Sequence, residues 1–118
     1  MNLKVPIGLL MCVLVVGTPL AAGSDGHGEP KSVTASCALD SADVYWEVPG
    51  EEEPIGYDVF ERAAGESSYT KANTMLVTAM YFVVDQLSTG MYYEFRVAAV
   101  YEDNNSSAMS DPAFCTTG

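Results

Sequence analysis

The sequence is poor in basic residues and has a single histidine, and both shortages exclude functions. Five lysines and arginines stand against 16 aspartates and glutamates in 118 residues, so the formal net charge is −11. Such a chain repels phosphate groups, and we expect it to bind neither nucleic acid nor an anionic membrane. The lone histidine, His27, lies in a polar stretch rich in glycine, where a solvated side chain is expected. Nucleophilic catalysis by serine or cysteine ordinarily needs a nearby base, so the sequence predicts a protein that is not an enzyme.

Several binding motifs are also missing. No glycine-rich phosphate loop and no spaced calcium-binding pattern occurs, so we predict no cofactor and no metal site. Neither Arg62 nor Arg96 begins an Arg-Gly-Asp tripeptide, and the single tryptophan excludes a repeated Trp-Ser motif.

The first 22 residues have the layout of a secretory signal peptide. Lys4 is followed by an apolar core at residues 5–16 and by small residues up to Ala22. A core of about 12 residues is short against the roughly 20 that span a bilayer. We predict a signal peptide at residues 1–22, a flexible leader at 23–30 and a folded domain at 31–118. Cleavage removes one basic residue and no acidic one, which leaves a secreted chain of net charge −12 without a membrane span.

Beyond residue 30, apolar and polar residues alternate in short pieces separated by turn residues, and no long stretch keeps a helical period. This pattern predicts an all-β sandwich. Residues 69–73 are a candidate edge strand. Alternation would turn Glu61 inward, so either a bulge shifts the register there or Glu61 lies at the rim of the sandwich. The positions predicted to face inward are Val33, Ala35, Cys37, Leu39, Val44, Trp46, Val48, Tyr57, Val59, Met80, Phe82, Val84, Tyr93, Phe95, Val97, Ala99, Ala113, Cys115 and Thr117.

A set of motifs in fixed order resembles the fibronectin type III domain. They are WEVP at 46–49, PIGYDV at 54–59, LSTGMYYEFRVAAV at 87–100, SDP at 110–112, and Thr117. The resemblance covers residues 30–117 and implies an immunoglobulin-like, seven-stranded antiparallel β-sandwich. It further implies structural core roles for Trp46, Tyr57, Leu87 and Tyr93. The Tyr93 hydroxyl would bond a backbone group at the turn between the fifth and sixth strands.

Two of the three cysteines survive removal of the signal peptide. Cys37 and Cys115 both fall on inward positions, and in a secreted domain a single pair predicts a disulfide. The alternative is a pair of reduced, buried thiols.

Overlapping sequons, Asn104-Asn105-Ser106 and Asn105-Ser106-Ser107, predict N-glycosylation of Asn104 or Asn105 in the loop before the last strand. A plain polar turn is the alternative.

Two surfaces are candidates for partner binding. The first, which we call the acidic pole, comprises Glu51, Glu52, Glu53, Glu102 and Asp103. The topology that the resemblance implies places their two loops side by side, where they form a solvated surface, meet a basic partner or chelate calcium. The second surface consists of Tyr45 and Tyr81, with Val83 next to Tyr81, and alternation turns these residues outward on paired strands. They make an apolar interaction patch or pack only on each other.

We interpret the chain as a secreted, non-enzymatic protein-binding module that acts on an extracellular protein through loops or a sheet face. Alternatives are a secreted inhibitor or antagonist of an extracellular protease or receptor, and a matrix component that self-associates. The expected state is a monomer or a weak self-associating species.

Overall fold

The alternating segments form seven strands in two antiparallel sheets that pack face to face. The structure is a computed structural model that describes residues 27–118, so the predicted signal peptide lies outside the described residues. Within the described range there is no helix, and hence none long and apolar enough to cross a membrane. The strands are β1 Lys31–Cys37, β2 Ala42–Glu47, β3 Gly56–Ala63, β4 Thr70–Lys71, β5 Tyr81–Val84, β6 Tyr92–Val100 and β7 Ala113–Thr116. The predicted seven-stranded antiparallel β-sandwich is confirmed.

One sheet has the strand order β1-β2-β5 and the other β4-β3-β6-β7. In the larger sheet, β3 and β6 stay in register without interruption from Gly56 opposite Val100 to Ala63 opposite Tyr93. This continuity excludes a bulge at Glu61, which pairs with Phe95 and lines the open groove between the two sheets. Glu61 is therefore a rim residue, the second of the two alternatives.

The interior holds the four residues that the resemblance assigned to it. Trp46, Tyr57, Leu87 and Tyr93 are all buried, and the rings of Trp46 and Tyr57 meet edge to face with centroids 5.3 Å apart. Burying each of these large side chains contributes on the order of 2 kcal/mol. Burial, together with the charge of Glu53, raises the pKa of Tyr57, so this phenol stays neutral.

Three positions predicted to face the interior are exposed: Leu39, Val48 and Met80. Leu39 follows the end of β1, Val48 follows the end of β2, and Met80 precedes β5. Alternation of side chains between two faces holds only while the backbone remains extended in the ladder. The inward predictions were therefore wrong at the strand ends, where the chain turns away.

The edge strand predicted at residues 69–73 is reduced to the two residues of β4, because a side chain replaces the ladder bond that would follow. The Val59 amide donates to Asn73 Oδ1 at 2.8 Å, and Asn73 Nδ2 donates to Asp58 Oδ1 and to the Met75 carbonyl at 2.9 Å each. Asn73 is buried with three hydrogen bonds, which satisfies its amide group. This side chain fixes the crossing of the chain from the larger sheet toward β5.

Candidate functional site

One end of the sandwich, which we call the corner end, is closed by a disulfide and by hydroxyl groups. Cys37 and Cys115 are joined, with Cα atoms 5.6 Å apart and 78 positions between them in sequence. Cys115 lies opposite Tyr93, whose hydroxyl accepts a hydrogen bond from the Ser88 amide at 2.8 Å. The predicted tyrosine contact is thus present at the turn between β5 and β6. Thr117 Oγ1 accepts a further bond from the Met91 amide at 3.0 Å.

At the opposite end, the structure brings the two loops of the acidic pole together through a residue from the leader. His27 Nδ1 lies 2.8 Å from Glu52 Oε1, and His27 Nε2 lies 3.0 Å from Asp103 Oδ2. The imidazole also stacks on the ring of Tyr101, with centroids 4.0 Å apart and planes 20° from parallel. The remaining residues of the acidic pole, Glu51, Glu53 and Glu102, are exposed in the same two loops.

The expectation of a solvated His27 was wrong, because the side chain is 15% exposed and bonded on both ring nitrogens. Its partners lie 25 and 76 positions away along the chain, so these contacts could not be predicted from a local sequence pattern. An ionised carboxylate only accepts hydrogen bonds, so both contacts are hydrogen bonds at the same time only when both ring nitrogens carry a proton, as in the imidazolium form.

The ion pair also changes the titration of its carboxylate partner. Hydrogen bonds from His27 and from the Asn105 amide hold the pKa of Asp103 below its usual value. A ring that uses both nitrogens on carboxylates has neither free for a metal ion. Among residues 27–118, no group of three or more histidine, cysteine or acidic side chains is arranged to hold one.

The second candidate surface is formed by Tyr45 on β2 and Tyr81 on β5. These residues are directly opposite in the register, and their rings stack with centroids 5.6 Å apart. They nevertheless remain 48% and 50% exposed, and Val83 beside them is also exposed. The two interpretations of the sequence therefore coexist: the tyrosines pack on each other and still present an apolar patch to solvent.

The outer face of the larger sheet carries a cluster that the sequence analysis missed. The guanidinium carbons of Arg62 and Arg96 lie 4.8 and 5.4 Å from the centroid of the Tyr69 ring. Arg62 Nη2 is 2.7 Å from Glu94 Oε1, and Arg96 Nε donates to the Tyr69 hydroxyl at 2.8 Å. Alternation could have placed both arginines outward. Tyr69 belonged to the predicted edge strand but lies before β4 in the structure, so alternation does not fix the direction of its ring.

Both sequon asparagines lie exposed in the turn between β6 and β7. Asn104 has a positive φ of 65°, and its amide donates to the Tyr101 carbonyl at 2.8 Å. In the second sequon, Ser107 is buried, and its hydroxyl accepts a bond from the Ala99 amide at 2.9 Å. Glycosylation of Asn104 or Asn105 stays a prediction.

Comparison with known proteins gives the same fold. The family model of the fibronectin type III domain matches residues 28–116, and the chain belongs to this family. Similar solved structures include module A71 of titin from human cardiac muscle, at 24% identity and a TM-score of 0.66, covering 73% of this chain and 86% of that one. A fibronectin type III domain of human collagen XX has 19% identity and a TM-score of 0.64, covering 79% and 94%.

The same fold also occurs inside an enzyme. A β-1,2-glucanase from Parabacteroides distasonis is 18% identical with a TM-score of 0.66, but the match covers 80% of this chain and 13% of that one. These identities establish the fold alone. Fibronectin type III domains are typically non-catalytic modules, and function is carried by surfaces placed on the fold.

Proposed function

We propose that this chain is a secreted, non-enzymatic binding module that contacts an extracellular protein through the face formed by Tyr45 and Tyr81. The observation that supports this most directly is the stacked tyrosine pair that remains half exposed on the smaller sheet. Tyrosine supplies a large, rigid contact area with a polar tip, and it is enriched among the residues that dominate binding energy. Because the rings are ordered by each other, little side-chain entropy is lost on association.

The acidic pole is a second candidate surface of the same module. Exposed carboxylates on two loops, with Asp103 and Glu52 held close by His27, form a strongly negative end. A surface of one sign accelerates encounter with a partner of the opposite sign, so this pole suits a basic protein. The tyrosine face is favoured because the carboxylates are well solvated, whereas the exposed aromatic rings gain free energy on leaving water.

Affinity capture from extracellular fluid, followed by mass spectrometry, tests the proposal. A protein recovered with the wild type is then titrated as a purified component against Tyr45→Thr/Tyr81→Thr. Loss of two central aromatic anchors is expected to raise the dissociation constant at least about 30-fold. The matched control is Tyr92→Thr, which removes a comparably exposed tyrosine from the larger sheet and should leave the affinity unchanged.

Other outcomes decide between the alternatives. Unchanged affinity in the double variant, with weakened binding in Glu51→Gln/Glu52→Gln/Glu53→Gln, would move the site to the acidic pole. A recovered protease or receptor whose activity falls on binding would make the module an inhibitor or antagonist. A size that grows with concentration in sedimentation velocity would favour a self-associating matrix component.

A further inference from the structure

Residues 27–30, which we call the strap, lie against the acidic end of the sandwich and immediately precede β1. Besides the two carboxylate contacts of His27, the Tyr101 hydroxyl donates to the Gly28 carbonyl at 2.8 Å. A Cβ atom built on Gly28 would be 3.2 Å from Cβ of Pro49, so the strap also lies close to the loop between β2 and β3. These contacts connect the strap to both loops of the acidic pole.

We propose that the strap is a pH-sensitive device, held across the acidic end by the doubly protonated ring of His27 and released when this ring loses a proton. The argument comes from hydrogen-bond geometry. A neutral imidazole has one donor and one acceptor nitrogen, so one of the two carboxylates would then face a lone pair instead of an N–H group. That contact becomes repulsive, and the bridge between Glu52 and Asp103 is lost.

The surroundings of the ring favour its charged form. Glu51, Glu52 and Glu53 lie on the loop after β2, and Glu102 and Asp103 on the loop after β6. The strap itself adds Glu29, with Lys31 at the start of β1 and the phenol of Tyr101 beneath the ring. Among residues 27–118, the two loops and the strap carry six carboxylates, and two of them contact the ring, so proton loss from His27 is opposed by Coulomb attraction.

The sign of the pH dependence follows from linkage. Histidine ordinarily has a pKa of about 6.5, and contacts that favour the protonated ring stabilise the closed strap fully below that value and lose their effect as pH rises. On the acid side, the lowered pKa of Asp103 means that its contribution is present above the usual value of about 3.9 and is lost as pH falls further. The strap is thus held most firmly between about pH 4 and 6.5.

Opening the strap would change the surface of this end. Tyr101 is 2% exposed, with His27 stacked on its ring. Release uncovers that ring between two acidic loops and removes the cation that holds Glu52 and Asp103 together. This inference does not rest on a role for the tyrosine face, and its failure would leave that role untouched.

A proton NMR titration of the untagged protein measures the device directly, because His27 is the single histidine and its Cε1 proton needs no assignment. The reference is a peptide of residues 24–30 (SDGHGEP) with an acetylated amino end and an amidated carboxyl end, which keeps the local sequence and lacks the fold. The midpoint in the protein is expected about one unit above that of the peptide, a tenfold tighter proton.

Asp103→Asn and Glu52→Gln should each move the midpoint toward the peptide value. Asp40→Asn, which neutralises an exposed carboxylate at the corner end, should leave it unchanged. A midpoint equal to that of the peptide, or one that neither pole variant alters, overturns the proposal.

Backbone relaxation supplies the second readout. The Glu29 amide should be rigid at pH 5.5 and flexible at pH 8.5, with an order parameter falling from about 0.85 to below about 0.6. His27→Gln, which cannot bridge both carboxylates as a cation, should be flexible at both pH values. A Glu29 amide equally rigid at both pH values in the wild type would show that proton loss does not release the strap, and would overturn the proposal.

Discussion

The two ends of this sandwich are held closed by different chemistry. At the corner end, a covalent bond between Cys37 and Cys115 stands beside the Tyr93 hydroxyl and Thr117. At the acidic end, the His27 ring lies between Glu52 and Asp103 and stacks on the Tyr101 ring. The disulfide does not titrate, whereas the bridge at the other end depends on histidine, whose charge ordinarily changes between pH 5 and 8.

Because of this difference, one end of the domain contributes to stability and the other end responds to pH. The corner end constrains the chain between β1 and β7, and contacts of that kind raise the free energy of global unfolding. The bridge at the acidic end is partly solvated, so its loss changes local order and leaves the core intact. A surface can therefore open at one end while the fold is maintained from the other.

Removing the disulfide at the corner end should cause the largest loss in the free energy of unfolding. Cys37→Ala/Cys115→Ala frees a loop of 78 positions, and chain entropy predicts a loss of about 4 kcal/mol in the free energy of unfolding. Urea denaturation at pH 5.5 and at pH 8 should show the same loss at both values. The control is urea denaturation of the wild type in the presence of a reducing agent, and its free energy of unfolding should match that of the variant. A loss under about 1 kcal/mol, or one that differs between the two pH values, would contradict the assigned role of the corner end.

Tyr93→Phe tests the same end with a smaller change. The ring stays buried, but the Ser88 amide loses its acceptor, so the free energy of unfolding should fall by about 1–2 kcal/mol. Tyr92→Phe, at the neighbouring exposed position, removes a hydroxyl of the same kind and should change stability by less than about 0.5 kcal/mol. Equal effects of the two variants would mean that the corner hydrogen bond contributes nothing specific.

Much of the corner end could be predicted from the sequence, because its chemistry follows local and compositional rules. Strict alternation placed Cys37 and Cys115 on the inner face, and the predicted secretion favoured a disulfide between them. The hydroxyl contact of Tyr93 was predicted because the motif at residues 87–93 resembles that of the fibronectin type III family. Both inferences need only the strand pattern and the order of a few residues.

The acidic end was predicted only in part. The two loops could be placed side by side from the topology, but nothing in the local pattern indicated that His27 would join them. The same is true of Asn73, whose side chain takes the place of one ladder bond, and of Tyr69 between two arginines. In each case a polar side chain outside a regular strand finds partners far away in sequence, and periodicity carries no information about such contacts.

The smallest effect on stability is expected from substitution of Glu61. This variant tests whether the half of the sandwich toward the corner end also responds to pH. Burial, and secondarily the charge of Glu66, raises the pKa of this carboxyl group. A raised carboxyl pKa means that the folded chain binds the proton more tightly than the unfolded chain, so the charged form of Glu61 opposes folding at neutral pH. Glu61→Gln should therefore raise the melting temperature at pH 7 and leave it unchanged near pH 4.

Solvent screening limits the gain to under about 1 kcal/mol, since the carboxylate lies at an open groove. Glu47→Gln, an exposed carboxylate on β2, is the matched control and should be neutral at both pH values. A melting temperature that falls at pH 7 in Glu61→Gln would reveal a stabilising contact of the carboxylate. The expected rise at pH 7 would extend the pH response beyond the acidic end, so that the contrast between the two ends is one of degree.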